Sequence, residues 1–209
     1  MCVSLLNDFK GRRHVGCCAL IAIKERARCK SRLGEQLDAS ARIALARSML
    51  AHVLAAVQTA HSVRQVIVIS PERDTVPAEV PVLADTGEGL NAALTQAHRT
   101  LLDLGCREFL VLPADLPQVT AAEIELLVHA GRHAGFAIAP DAADSGTNGL
   151  CIVSGQPLRF RFGPDSKRFH IEEAESAALG TRVVRSPGLA FDVDGPADLL
   201  RLRKLQWSA

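Results

Sequence analysis

Apolar positions along the chain alternate between short unbroken runs and longer stripes of helical period. Residues 17–23 are apolar throughout, as in a strand covered on both faces. A charged stretch, 24–34, follows. Between 41 and 60, Ile43, Ala46, Leu50, Val53, Leu54 and Val57 form one broad stripe, which predicts a helix with Ser40 as its N-cap. Residues 65–69 read as a strand ending at Ser70-Pro71, and 81–83 as a short one. A helix is expected over 91–104, closed by Gly105. Residues 109–112 then form a strand stopped by Pro113. Thr120 and Glu123 make a capping box for a helix ending near Gly131. Further strands are expected at 136–139, 150–153 and 182–184. A turn-rich stretch covers 155–168, a helix covers 169–179 up to Gly180, and Pro196 opens a last helix.

This alternation predicts an α/β fold, three layers around a mostly parallel sheet. A chain of 209 residues can bury roughly 70% of its extended surface, enough for one core. The expected organisation is a basic N-terminal arm over 1–14 and a single domain over 15–209. The sequence holds no internal repeat.

Net charge is +1, from 24 basic and 23 acidic residues, which removes a bulk electrostatic case for DNA binding. Residues 1–32 are nonetheless basic, with Lys10, Arg12, Arg13, Lys24, Arg26, Arg28, Lys30 and Arg32 against Asp8 and Glu25. Such a patch suits a small polyanion as well as a nucleic acid. Aromatics are only 4%, so base-stacking platforms are scarce and no nucleic-acid partner is expected. None of the six cysteines stands in a CxxC or zinc-like spacing. Cys17 and Cys18, adjacent in a strand, point to opposite faces. A reduced, cytoplasmic protein fits this usage. The apolar run 15–23 is too short to span a bilayer, and Asn7 and Asp8 spoil a signal peptide, so no membrane is expected.

Ligands of such folds gather at the C-terminal ends of strands. Asp115 stands just past a strand, in Pro113-Ala114-Asp115-Leu116-Pro117, where two prolines stiffen the backbone. It reads as a metal ligand or base, or as a cap. Asp192 and Asp194 are two apart, so an extended backbone turns both the same way. Paired oxygen donors suit magnesium that bridges to phosphates; the other reading is that Asp194 caps the last helix. Lys24, Lys30 and Arg32 can surround a phosphate chain, lysine as a point charge and arginine as a fork. For Arg26 and Arg28 a solvated loop is preferred. Neither GxxxxGK[ST] nor GxGxxG is present.

Gly87 and Gly89 precede a helix, where glycine lets backbone approach a ligand closely. Thr147, Ser166 and the backbone near Gly163 can grip phosphate or carboxylate oxygens. His170 shares their site if a helix begins at Ser166, or else lies on the surface. These residues suit metal-assisted phosphoryl transfer. Two cations on Asp115, Asp192 and Asp194 would bridge a triphosphate and an ionised oxygen nucleophile, with no general base required. No Ser-His-Asp triad or activated-cysteine motif is found.

In order, Lys24 … Lys30-Ser31-Arg32-Leu33, Gly87-x-Gly89-Leu90-Asn91, Pro113-x-Asp115-Leu116-Pro117, Gly146-Thr147-Asn148, Phe162-Gly163-Pro164-Asp165-Ser166 … His170 and Phe191-Asp192-x-Asp194 form a pattern. It resembles the 2-phospho-L-lactate guanylyltransferases of coenzyme F420 biosynthesis, over about residues 17–200. The resemblance implies a nucleotidyltransferase fold of the nucleotide-diphospho-sugar transferase type, related to the molybdenum-cofactor guanylyltransferases. It implies transfer of GMP from GTP to a small phosphorylated carboxylic acid, with release of pyrophosphate. By position it makes Asp115, Asp192 and Asp194 ligands of Mg2+, two ions per site. It puts Lys24, Lys30, Arg32 and Pro113 on the GTP side, with Lys24, Lys30 and Asp115 as the catalytic set. Gly87, Gly89 and Asn91 fall beside the guanosine, and Thr147, Gly163 and Ser166 beside the acceptor. His170 occupies a family position to which no role attaches.

The chain departs from the family in having Ala22-Ile23-Lys24 for Pro-Val-Lys, and in its longer arm. As a whole it looks like the bacterial variant that uses 3-phospho-D-glycerate, with 2-phospho-L-lactate and phosphoenolpyruvate as the other acceptors. A homodimer and hand-off of product to the transferase that builds the F420 side chain are further implications. Two other readings stay open: a molybdopterin or sugar-phosphate nucleotidyltransferase, and a GTP-binding module without turnover.

Overall fold

The apolar run 17–23 becomes strand β1 (Cys17–Ala22), covered on both faces as its composition requires. The structure is a computed structural model that describes residues 16–23, 30–84, 89–205 and 207. The arm expected over 1–14 lies outside them. β1 is joined by β2 (Val63–Ser70), β3 (Val82–Ala84), β4 (Glu108–Pro113), β5 (Gly135–Ala139), β6 (Gly149–Val153) and β7 (Gly180–Val183). They form one sheet, ordered β3-β2-β1-β4-β6-β5-β7. β6 alone runs against its neighbours β4 and β5, and the other pairs are parallel. The expected α/β fold is therefore present.

Helices cover both faces: α1 (Ala39–Thr59), α2 (Leu90–Asp103), α3 (Ala121–Ala134), α4 (Ser166–Ser176), the short α5 (Pro187–Ala190) and α6 (Pro196–Lys204). Cys17, Ala19 and Ile21 pack with Val53 and Val57 of α1 and Leu127 and Val128 of α3. Cys18 and Leu20 pack on the other face with Ala93, Leu94 and Leu101 of α2 and Ala174 of α4. The adjacent cysteines thus point to opposite faces. The described thiols, Cys17, Cys18, Cys106 and Cys151, are free and buried. α1 is long and apolar enough to cross a bilayer by length and composition. Here its apolar side lies on the sheet.

A third, smaller core decides where the chemistry sits. Leu33, Leu45, Met49, Phe191, Val193, Leu199 and Leu202 close on one another beside the sheet. This cluster holds the 3-10 turn Ser31–Leu33, the segment 191–194 and α6 against α1. The reversal of β6 matters equally. Its first residues lie at the same sheet edge as the last residues of β1, β4 and β5, so the turn entering β6 joins the site instead of lying opposite it.

The boundaries differ from expectation in instructive ways. Asp38, not Ser40, caps α1: its carboxylate accepts from the Ala41 N–H at 2.8 Å, and Ser40 Oγ donates to it at 2.7 Å. A carboxylate beside the positive helix end outcompetes a hydroxyl. The capping box of Thr120 and Glu123 is present. The helix it opens does not end at Gly131, though. It continues to Ala134, and Gly135, at φ 96°, closes it. Gly131 lies inside α3 because a Cβ there would overlap the Cys151 side chain on β6. α4 starts at Ser166, three residues before the expected start, and Gly180 opens β7 instead of ending the helix.

Gly131→Ala is therefore expected to destabilise the fold by about 1–3 kcal/mol, the range for overpacking a tight core. Adding Cys151→Ala should restore most of the loss in urea denaturation. An unaffected single variant would refute the close α3–β6 contact.

Candidate active site

Residues Phe191 and Val193 are buried in the third core, so the alternation of an extended segment turns Asp192 and Asp194 outward together. The Val193 N–H donates to the Asp115 carbonyl at 3.3 Å, which fixes this segment beside the end of β4. All three carboxylates line one cleft of about 710 Å³ at the sheet edge. Lys30, Arg32, Pro113, Thr147, Gly163 and Ser166 line it too. Gly89 and Asn91 do not, and Lys24 and Gly87 lie outside the described residues.

Lys30 holds the carboxylates together. Its ammonium donates to Asp115 Oδ2 and to the Val193 carbonyl, and stands 3.6 Å from Asp194 Oδ1. The lysine side chain is only 8% exposed, so this cation is largely removed from water. Lys30 adopts a left-handed backbone, φ 50°, just before the Ser31–Leu33 turn. Burial of Leu33 below it anchors that turn. Arg32, at 3.7 Å from Asp194, is well exposed and adds a weaker, screened attraction.

Among the described residues no lysine pairs with Asp192. Burial pushes its carboxyl above the usual range. The Asn148 amide, donating to Oδ1 at 3.0 Å, opposes that rise, while the neighbouring Asp115 and Asp194 reinforce it. Asn148 is a side chain of the cleft that spacing alone did not single out, although it lies in the Gly146-Thr147-Asn148 motif. Its turn is built by Asp141, whose Oδ1 accepts from the Ser145 and Gly146 N–H groups at 3.0 and 2.9 Å. A Cβ on Gly146 would come within 2.6 Å of Asp141 Oδ2, so glycine is required.

The donor set suits a hard divalent cation, since it offers carboxylate oxygens and already draws a cation between Asp115 and Asp194. Among the described residues no three His, Cys, Asp or Glu side chains converge closely enough to enclose an ion. The carboxylates share a cleft, not a single point.

Further lining of the cleft comes from the turn 141–148 and the start of α4, next to Asp192. The Lys167 N–H donates to the Ser145 carbonyl at 3.1 Å, and its ammonium pairs with Asp144 at 2.7 Å. Thr147, Ser166 and His170 are buried together here. Asn91, expected beside a guanosine, is engaged with the loop before α4. Its amide donates to the Phe162 carbonyl at 3.0 Å and accepts from the Phe162 N–H at 2.8 Å. Its first visible task is to hold Phe162 and Gly163 at the cleft.

The sequence model of the family described as guanylyl transferase CofC like matches residues 17–203. The chain belongs to this family. A phosphoenolpyruvate guanylyltransferase of Rubrobacter xylanophilus is 40% identical over 190 residues, covering 88% of this chain and 92% of that protein. Another, of Sphaerobacter thermophilus, is 37% identical over 188 residues, covering 88% and 91%. Among solved structures, a Desulfovibrio desulfuricans G20 protein assigned as a nucleotide-diphospho-sugar transferase aligns with a TM-score of 0.74 at 18% identity, over 92% of this chain and 88% of that one. The 4-diphosphocytidyl-2C-methyl-D-erythritol synthase of Anaerococcus prevotii aligns with a TM-score of 0.61 at 10% identity, over 97% and 99%. This CofC-like guanylyltransferase is thus a nucleotidyltransferase enzyme on the expected fold, with a nucleoside triphosphate as substrate.

The raised carboxyl of Asp192 has a stability consequence. A carboxyl whose pKa rises on folding holds its proton more tightly in the folded chain. It therefore favours the folded state below its unfolded pKa, and that contribution is lost as pH rises through the folded value. At neutral pH the charge on Asp192 works against folding. Asp192→Asn, measured by thermal melting in chelator, is expected to raise the midpoint at neutral pH and to change it little in acid. An unchanged or lower midpoint at neutral pH would contradict this electrostatic picture.

Proposed function

We propose that this CofC-like enzyme transfers the guanylyl group of GTP to the phosphate of a small phosphorylated carboxylic acid, with residues 15–209 acting as one domain. The observation that carries the reading is the juxtaposition of Asp115, Asp192 and Asp194 in one cleft that Lys30, Thr147 and Ser166 also line. A phosphate oxygen of the acceptor attacks the α-phosphorus of GTP. The new P–O bond forms as the bond from the α-phosphorus to the bridging oxygen breaks, and pyrophosphate leaves with the electron pair. The nucleophile is already ionised, so no base has to remove a proton.

Lys30 and Arg32 bring positive charge to the triphosphate side, with Lys24 and Gly87 as further contacts implied by the family pattern. Asp115, Asp192 and Asp194 would hold Mg2+, whose charge would offset that of the triphosphate and the entering phosphate. Thr147, Ser166 and the backbone at Gly163 receive the acceptor. Gly163, at φ 134°, leaves open space where a side chain would stand.

Phosphoenolpyruvate is the acceptor we place first, because the relatives at 37–40% identity carry that name. The whole-sequence likeness to a 3-phospho-D-glycerate enzyme makes that acid the comparison. The two differ in the carbon that bears the phosphate, and 3-phospho-D-glycerate has a free hydroxyl where phosphoenolpyruvate has its enol ester, a difference that polar groups can discriminate strongly. GTP, magnesium and equimolar phosphoenolpyruvate, 3-phospho-D-glycerate and 2-phospho-L-lactate should be incubated together and the products resolved by mass. The guanylylated phosphoenolpyruvate is expected to dominate; a dominant 3-phospho-D-glycerate product would reassign the acceptor. Pyrophosphate released only with a sugar phosphate or a molybdopterin would overturn the reading. So would nucleotide binding without turnover on any acceptor. Asp115→Asn should lower kcat/KM on the order of a hundredfold or more while leaving a folded protein.

A further inference from the structure

The role of His170 follows from counting protons along one buried chain of contacts. The backbone N–H of Arg161 donates to His170 Nε2 at 3.0 Å, so that nitrogen carries no proton. Burial, assisted by the Arg161 charge, pushes the imidazole down to about 4, so the ring is neutral near pH 7. Its one proton therefore sits on Nδ1, which donates to Thr147 Oγ1 at 3.1 Å. Ser166 Oγ donates to the same oxygen, also at 3.1 Å. A hydroxyl oxygen has two acceptor positions and one proton. Both acceptor positions of Thr147 are filled. Its own O–H must then donate elsewhere, and Thr147 lines the cleft.

We propose that His170 is a positioning residue that makes Thr147 an obligate hydrogen-bond donor to an anionic oxygen of the acceptor acid. This rests on the reading of Thr147 as an acceptor contact. A freely rotating hydroxyl would accept from a ligand hydroxyl or amide as readily as it donates. With its lone pairs engaged it receives carboxylate or phosphate oxygens and gives no acceptor site to a donor. Ring packing serves the same end. Phe162, whose backbone Asn91 holds, stands edge-on to His170 with ring centroids 4.8 Å apart, which fixes the imidazole plane.

The test compares Thr147→Val, His170→Leu, His170→Asn and the double variant Thr147→Val/His170→Leu. KM is measured for GTP, phosphoenolpyruvate and 3-phospho-D-glycerate, with direct titration of each acid. Asn places an amide donor where Nδ1 stood. His170→Leu is expected to raise the KM for the acid about tenfold, as for loss of one hydrogen bond to a charged group, with the KM for GTP unchanged. His170→Asn should recover most of that loss. In the Thr147→Val background the leucine change should add nothing. A full additive loss in the double variant would show that His170 acts as packing alone, and would overturn the proposal. Thr147→Val without effect on either acid would bring down the acceptor-site reading itself, a different failure. A further check needs no variant. In 15N-histidine-labelled protein, the ring in contact with Phe162 should be protonated at Nδ1; protonation at Nε2 would overturn the proposal even if the variants fail to fold.

Discussion

Two like charges 4 Å apart repel by about 4 kcal/mol at the effective dielectric of a protein surface, and the cost grows as water is excluded. Asp115, Asp192 and Asp194 line one partly buried cleft, so the protein has to offset that repulsion with its own groups. Lys30 does this for Asp115 and Asp194, and Asn148 does it less completely for Asp192. The raised carboxyl of Asp192 comes mainly from its burial, with a smaller part from the neighbouring Asp115 and Asp194. A site so arranged has a standing preference for cations, and that preference is what a reaction between two polyanions requires.

The fold meets this cost with hydrophobic burial close by. Leu33, Phe191 and Val193 are almost fully buried in the small third core, each worth about 1.5–3 kcal/mol relative to exposure. Their neighbours in sequence are the charged residues Arg32, Asp192 and Asp194. Alternation along the backbone then leaves the charges no position but the cleft. The same residues that stabilise the edge of the molecule thereby aim its chemistry, and a slip of one residue in this segment would bury the carboxylates and expose Phe191 and Val193.

Much of this was legible in the sequence where the signal is local. Unbroken apolar runs gave the strands, Thr120 and Glu123 gave the start of a helix, and the i, i+2 spacing of Asp192 and Asp194 gave their shared direction. What escaped is held by contacts between distant positions. Lys30 meets Asp115 across 85 residues and the Val193 carbonyl across 163. Asn148 meets Asp192 across 44, and Asn91 meets Phe162 across 71. No local pattern predicts such partners. Position along the chain makes Gly131 look like a helix terminator, a common role of glycine. Its actual reason, the Cys151 side chain on a neighbouring strand, belongs to packing between elements. His170 was placed near Ser166 by helical spacing, but its tautomer depends on the Arg161 N–H, which only the folded chain brings to it.

The two walls of the cleft carry different kinds of information. The carboxylate wall comes from the ends of the sheet and from the third core, and its chemistry suits phosphoryl transfer to many acceptors. Proteins with this fold at 10–18% identity bear the names of quite different transferases, so the sheet alone does not define the acceptor. The adjoining wall is built from the entry to β6 and the first turn of α4, stitched together by Lys167, Asp144 and Ser145. On the proposed reading, selection among small phosphorylated acids resides in Thr147, Ser166 and the groups that orient them, since these line the cleft and are held in fixed positions by buried hydrogen bonds.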